Sequence, residues 1–231
     1  MRLYAVYFGL TGILLVIAGA VWRGWGWLMC WFGLSLLWLS LAHIRQNHHL
    51  FGKRPAGTIP LFALLLHLPF FGYLHVLWHT LRLLSREPAY HVVTDQLIVG
   101  RRLLAGELPS HCDNYIDLTA EYGEPAAVRT LPGYVCFPIL DGSAPSPDAL
   151  ARFIAALRPG RTFVHCAQGH GRSGLFALAM LLAHGAAPNV QEGLRLLQNA
   201  RPRIWLNRVQ RRCLDEFARQ STVTRRMPPR S

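Results

Sequence analysis

Thr162-Phe163-Val164-His165-Cys166-Ala167-Gln168-Gly169-His170-Gly171-Arg172-Ser173, followed by an apolar run from Leu175 to Ala183 and then Gly185, is the stretch on which the reading of this 231-residue chain rests. Thr162 to Val164 is β-branched and aromatic, as the end of a buried strand is, and the run after Ser173 has the length and composition of a helix stopped by a glycine. A glycine-bearing turn joins them, opening on a cysteine and closing on an arginine. Strand, tight turn and helix in that order aim backbone N–H groups at one point, where the helix N-terminus adds its partial positive charge. The stretch therefore predicts an α/β domain with an anion site at the carboxyl end of a strand.

Each residue type in the turn suits phosphoryl transfer. A cysteine ringed by amides is favoured as the thiolate, which is the nucleophilic form. Cys166 is the expected nucleophile. Gly169 and Gly171 are expected to permit positive φ and a close approach of backbone to phosphate oxygens, to which Ala167, Gln168 and His170 contribute amides. Arg172 offers a planar fork that can hold two oxygens and the spread charge of a loose transition state. Ser173 can donate to the Cys166 sulfur and help it leave. His165 is expected to orient the loop through the backbone, and His170 either contacts substrate at the rim or is solvated. The chain also contains a decoy, because Cys213 and Arg219 have the same spacing as Cys166 and Arg172. The intervening Leu214-Asp215-Glu216-Phe217-Ala218 has no glycine and two acids, so it reads as an acidic helix that no anion would enter.

The charge is uneven along the chain. Up to Tyr90 there are seven Arg/Lys and one acid, Glu87; from His91 onward there are seventeen Arg and eleven Asp/Glu. Residues 4–22 and 25–44 are each apolar over a length that matches a bilayer's hydrocarbon, with Trp22, Trp25 and Trp27 grouped as an interfacial belt. Residues 58–81 form a weaker third segment, interrupted by His67, Pro69, His75 and His79. A cleaved leader is the rival reading of the first segment, but no Ala-x-Ala site ends it and a second apolar stretch follows at once. The net charge of +12 suits anionic lipid and phosphate substrates. Neither zinc-finger spacing nor an RNP-type aromatic motif supports a nucleic-acid partner. Five cysteines without a CxxC pair argue against both a disulfide framework and a structural zinc site.

At His165-Cys166-x-x-Gly169-x-x-Arg172-Ser173 the chain resembles the dual-specificity branch of the protein tyrosine phosphatase superfamily, and the likeness extends over roughly residues 91–218. Ile98-Val99-Gly100 and Tyr115 to Glu121 are similar to its early strands, and Arg201-Pro202, Leu206-Asn207 and Gln210 to its closing RPxxxLNxxQ element. The resemblance implies a central, mostly parallel sheet of four or five strands flanked by helices, preceded here by two or three transmembrane helices. It also implies a general acid on an upstream loop, for which Asp141 in Phe137-Pro138-Ile139-Leu140-Asp141-Gly142 is the candidate; an Asp-Gly turn is the alternative. Asp148 is a second choice, better read as a helix cap. The expected organisation is a membrane anchor over residues 1–88, a catalytic domain over 89–220 and a basic flexible tail over 221–231. The expected activity is phosphomonoester hydrolysis through a phosphocysteine, needing neither metal nor organic cofactor. Its substrate is expected to be a phosphotyrosine or phosphoserine/threonine protein, or else a phospholipid monoester such as phosphatidylglycerophosphate. The absence of extra basic residues at 168 and 170 speaks against a polyphosphoinositide. A non-catalytic phosphate-binding module is the remote reading. Membrane lipids are the other expected partners, and the expected location is a bacterial inner membrane, multi-pass, with the catalytic domain in the reducing cytoplasm.

Overall fold

A computed structural model describes residues 2–22 and 24–226 of the chain. They form two units: one runs up to Glu87 and includes Ala120–Glu124, and the other comprises Pro88–Thr119 and everything from Pro125.

The first unit contains α1 (Arg2–Val21), α2 (Gly26–Arg45), α3 (Leu61–Leu66) and α4 (Leu68–Leu84). Both α1 and α2 are long and apolar enough to cross a membrane. Small residues let them touch backbone to backbone. A Cβ built on Gly12 would lie 2.8 Å from the Gly33 carbonyl oxygen, and one on Gly19 would lie 2.4 Å from that of Gly26. Farther along, the Ser40 hydroxyl donates to the Ala5 carbonyl at 2.7 Å. Close approach at small residues with a hydroxyl bond between helices is how apolar helices associate when hydrocarbon surrounds them. Away from this seam Leu10, Ile13, Leu14 and Ile17 of α1 are exposed. The third apolar segment, 58–81, is not one helix: it divides into α3 and α4 at His67, whose N–H turns back to Ala63 and Leu65. Pro69 explains the break, since it has no N–H to continue a helix and sits instead in the first turn of α4. His67 itself is buried, with Nδ1 3.0 Å from the Ser35 hydroxyl.

The second unit contains β1 (Tyr90–Thr94), β2 (Leu97–Arg101), β3 (Asn114–Thr119), α5 (Ala126–Arg129), β4 (Tyr134–Ile139), α6 (Pro147–Ala155), β5 (Thr162–Cys166), α7 (Gly171–Ala183), α8 (Val190–Ala200) and α9 (Arg208–Arg226). The five strands lie in the order β1-β2-β5-β3-β4, antiparallel only between β1 and β2. β5 is central and buried along its whole length, as the continuous apolar reading of a parallel core strand requires. Its side chains alternate between faces. Phe163 packs with Ile98, Leu103 and Tyr115 on one side, while Val164 and Cys166 join α6, α7, α8 and α9 on the other. α7 is buried from Arg172 to Leu182, because it is apolar on every side and enclosed by neighbouring helices and the sheet.

Two details differ from the sequence reading. The cap of α6 is Ser146, whose hydroxyl accepts from the Ala149 N–H at 3.2 Å, with Pro147 as first helical residue and Asp148 in the first turn. α9 continues to Arg226, into the stretch expected as a tail, and residues 227–231 lie outside those described.

Candidate active site

The carboxyl end of β5 delivers Cys166, and α7 begins five residues later at Gly171. Cys166 is 4 % exposed, and the Gly169 N–H donates to its sulfur at 3.3 Å. Gly169 is required here on two counts. Its φ is +75°, and a Cβ would sit 2.4 Å from the carbonyl carbon and oxygen of Gly100 on β2, with the Arg101 nitrogen at 2.6 Å. Gly171, expected to need the same freedom, has ordinary helical backbone because it is the first residue of α7, and a Cβ on it would meet the Gln210 side chain at 3.3 Å and the Trp205 carbonyl at 3.7 Å.

Arg172, 2 % exposed, points across to the end of β4. Its Nη1 donates to the Ile139 carbonyl at 2.9 Å and its Nη2 lies 3.3 Å from Oδ1 of Asp141. Asp141 is 62 % exposed in its side chain, so one end of this ion pair is solvated and the other is not. The turn that carries Asp141 is held from below by α9. Asn207 and Gln210 exchange bonds as a reciprocal cap, the Gln210 N–H donating to Asn207 Oδ1 at 2.9 Å and the Asn207 N–H to Gln210 Oε1 at 3.1 Å. Their remaining amide nitrogens donate to the Gly142 carbonyl at 2.8 Å and the Ser143 carbonyl at 3.4 Å.

The other expected residues are placed as follows. Ser173 is fully buried and its hydroxyl faces the Gly100 carbonyl at 3.4 Å. His165 is buried one residue before Cys166 and stacks on Phe163, ring centroids 5.5 Å apart. The Ala167 carbonyl accepts from the Arg102 N–H at 3.3 Å. Gln168 and His170 are half-buried. Cys213, the decoy, lies in α9 and donates to the Pro145 carbonyl at 3.3 Å; burial, with the nearby Glu216 charge, pushes its thiol up to about 11. Helical geometry and a protonated sulfur both remove it from phosphate chemistry.

The residue whose part went unread is Arg201. It is 1 % exposed and spends its guanidinium on the backbone of the loop: Nε donates to the Gly169 carbonyl and Nη2 to the Gln168 carbonyl, both at 3.0 Å, while Nη1 reaches the Pro88 carbonyl and His91 Nδ1, also at 3.0 Å. The signal was present as Arg201-Pro202, but nothing in the sequence tells that this arginine buttresses the loop from behind. A separate cavity of about 860 Å³, lined by Thr162, Met180, His184 and Phe217 among others, opens at the far ends of β5 and α7 and includes none of these groups.

Residues 117–230 match the family model described as "PTP-SAK: Swiss Army Knife protein, DSP-PTPase phosphatase domain". No curated protein matches the chain. Among solved structures the fold is similar to that of Tk-PTP in its active form, at 21 % identity and TM-score 0.51 over 58 % of this chain and 98 % of that one. It is also similar to PTPMT1 in complex with PI(5)P, at 16 % identity and TM-score 0.52 over 59 % and 99 %. A single-substitution variant of human DUSP28 matches at 18 % identity and TM-score 0.52 over 60 % and 99 %.

Proposed function

Because residues 117–230 constitute a phosphatase domain of the dual-specificity branch of the protein tyrosine phosphatase superfamily, we propose that this chain is a membrane-anchored phosphomonoesterase working through a phosphocysteine at Cys166. The observations that carry the reading are a buried sulfur at the end of β5 accepting a loop amide and, from the first turn of α7, a buried guanidinium 3.3 Å from a solvated carboxylate.

The Cys166 thiolate attacks phosphorus while Asp141 gives its proton to the departing ester oxygen, leaving an alcohol or phenol and a phosphocysteine. Asp141, now a carboxylate, takes a proton from water as that water attacks phosphorus; the sulfur leaves as thiolate and inorganic phosphate is released. Arg172 and the amides of 167–172 hold the equatorial oxygens in both steps. The chemistry needs no metal.

Two apolar helices of bilayer length support anchoring, and a reactive thiolate supports placing the catalytic domain on the cytoplasmic side. Phosphorylated protein is the first substrate class. A phospholipid monoester is the second, favoured by the same two helices and by the likeness to a phosphatase solved with PI(5)P. Cys166→Ser should abolish turnover of an aryl phosphate, and rapid quenching of the wild type with a slow substrate should place phosphate on the Cys166 peptide. Turnover by the serine variant at the wild-type rate would refute the nucleophile.

A further inference from the structure

The segment from Arg201 to Asn207 borders the site at both ends. Arg201 holds the 168 and 169 carbonyls, Asn207 holds the Gly142 carbonyl beside Asp141, and the Trp205 carbonyl lies 3.7 Å from the position of a Cβ on Gly171. Ile204 and Leu206 are each 1 % exposed and turn onto α7, where a Cβ on Gly174 would meet both. The side chain between them is turned the other way: Trp205 is 64 % exposed. Its backbone is fixed, since the Ile204 carbonyl accepts from Gln198 at 3.0 Å and the Leu206 carbonyl from Arg211 at 3.1 Å. A large indole is thus presented to solvent on a rigid loop next to the phosphate-binding turn.

Its surroundings are cationic. Arg203, Arg208, Arg211 and Arg212 are exposed, and no acid occurs between Glu192 and Asp215. An exposed Trp among arginines is the composition of a bilayer interface, where the ring sits at headgroup depth and each cation is drawn to anionic lipid. Residues 85–89 alone separate α4 from β1.

We propose that Arg203, Trp205 and Arg208 form a bilayer-docking rim beside the Cys166–Arg172 turn, which seats the site on anionic headgroups and makes a lipid phosphomonoester its substrate class. This rests on the phosphomonoesterase reading for the substrate and on the exposed residues for the docking, and the two are tested separately. The full chain is reconstituted in vesicles of phosphatidylcholine alone or with phosphatidylglycerol, with brominated acyl chains as quencher. The Trp205 contribution is the wild-type fluorescence minus that of Trp205→Phe. It should be quenched in the vesicles with phosphatidylglycerol and not in the neutral ones, and Arg203→Gln or Arg208→Gln should each weaken docking on the order of five-fold. Quenching in neither vesicle overturns the docking rim. In the kinetic arm, Trp205→Ala should slow hydrolysis of phosphatidylglycerophosphate in the anionic vesicles several-fold and leave a soluble aryl phosphate unchanged. An equal loss on both substrates makes Trp205 a support of the loop, and a loss confined to a phosphotyrosine peptide makes it a peptide contact; either result overturns the proposal. A wild type that cleaves none of the three refutes the phosphomonoesterase reading, while the quenching result still decides the docking.

Discussion

Replacing Gly169 by alanine should disable the turn that follows Cys166. Two costs add. A φ of +75° costs an L-residue about 1–2 kcal/mol. The new methyl would overlap the Gly100 carbonyl by roughly 1 Å, since 2.4 Å replaces an ordinary contact of about 3.5 Å. Gly100 cannot yield, because its own position is closed in by Tyr90 and Phe163. The strain of an overpacked interior is about 1–3 kcal/mol, so the domain should lose about 2–5 kcal/mol of stability. The loop should also move by about an ångström, taking the amide that bonds the Cys166 sulfur out of place, and displacement on that scale costs about 100-fold in rate. The assay is kcat/KM for an aryl phosphate, with vanadate affinity as a measure of the ground-state anion site, and Gly171→Ala as the control. Gly171 lies in helical backbone, and a Cβ there would meet the Gln210 amide at 3.3 Å and the Trp205 carbonyl at 3.7 Å, a milder crowding than at Gly169, so alanine there should cost far less activity than at Gly169. A Gly169→Ala enzyme with wild-type kcat/KM, or a Gly171→Ala enzyme that falls as far, would refute this account of the turn.

Arg201→Met should destabilise the domain by about 3–5 kcal/mol, because carbonyls that now meet a buried cation lose their donors; vanadate binding should weaken at least ten-fold, and unchanged binding in the folded variant would count against a role in shaping the loop. Asn207→Ala removes a helix cap worth about 1–2 kcal/mol together with the bond to the Gly142 carbonyl, so it should slow esters of poor leaving groups more than esters of good ones; equal slowing would separate it from Asp141. Cys213 binds its proton more tightly folded, at about 11 against an ordinary value near 9, so its contribution is whole below pH 9 and is lost as pH rises through 11. That limb should be missing from the alkaline denaturation curve of Cys213→Ala.

The strand, turn and helix of the β5–α7 corner were legible in the sequence, because they are local. The sequence also distinguished Cys166 from Cys213, since acids and a lack of glycine are enough to exclude an anion. What it could not supply were contacts between segments distant in the chain. Gly169 and Gly171 read alike, and only the neighbouring strand shows that one is forced and the other merely convenient. Ser173 read as a partner of the sulfur, whereas its hydroxyl faces the Gly100 carbonyl, 73 residues away. The break at His67 was foreshadowed by Pro69 but masked by the apolar composition on both sides. Arg201 was quoted as part of a pattern without a task, because a buttress is defined by what it touches.

A peptide group is rigid and planar, so turning its oxygen one way turns its hydrogen the other. The Gln168 carbonyl and the Gly169 N–H belong to one such plate: the first is gripped by Arg201 and the second by the Cys166 sulfur. The buried guanidinium therefore sets the tilt of the amide that the Cys166 sulfur sees. Two positions 35 residues apart in sequence are joined by a single rigid lever.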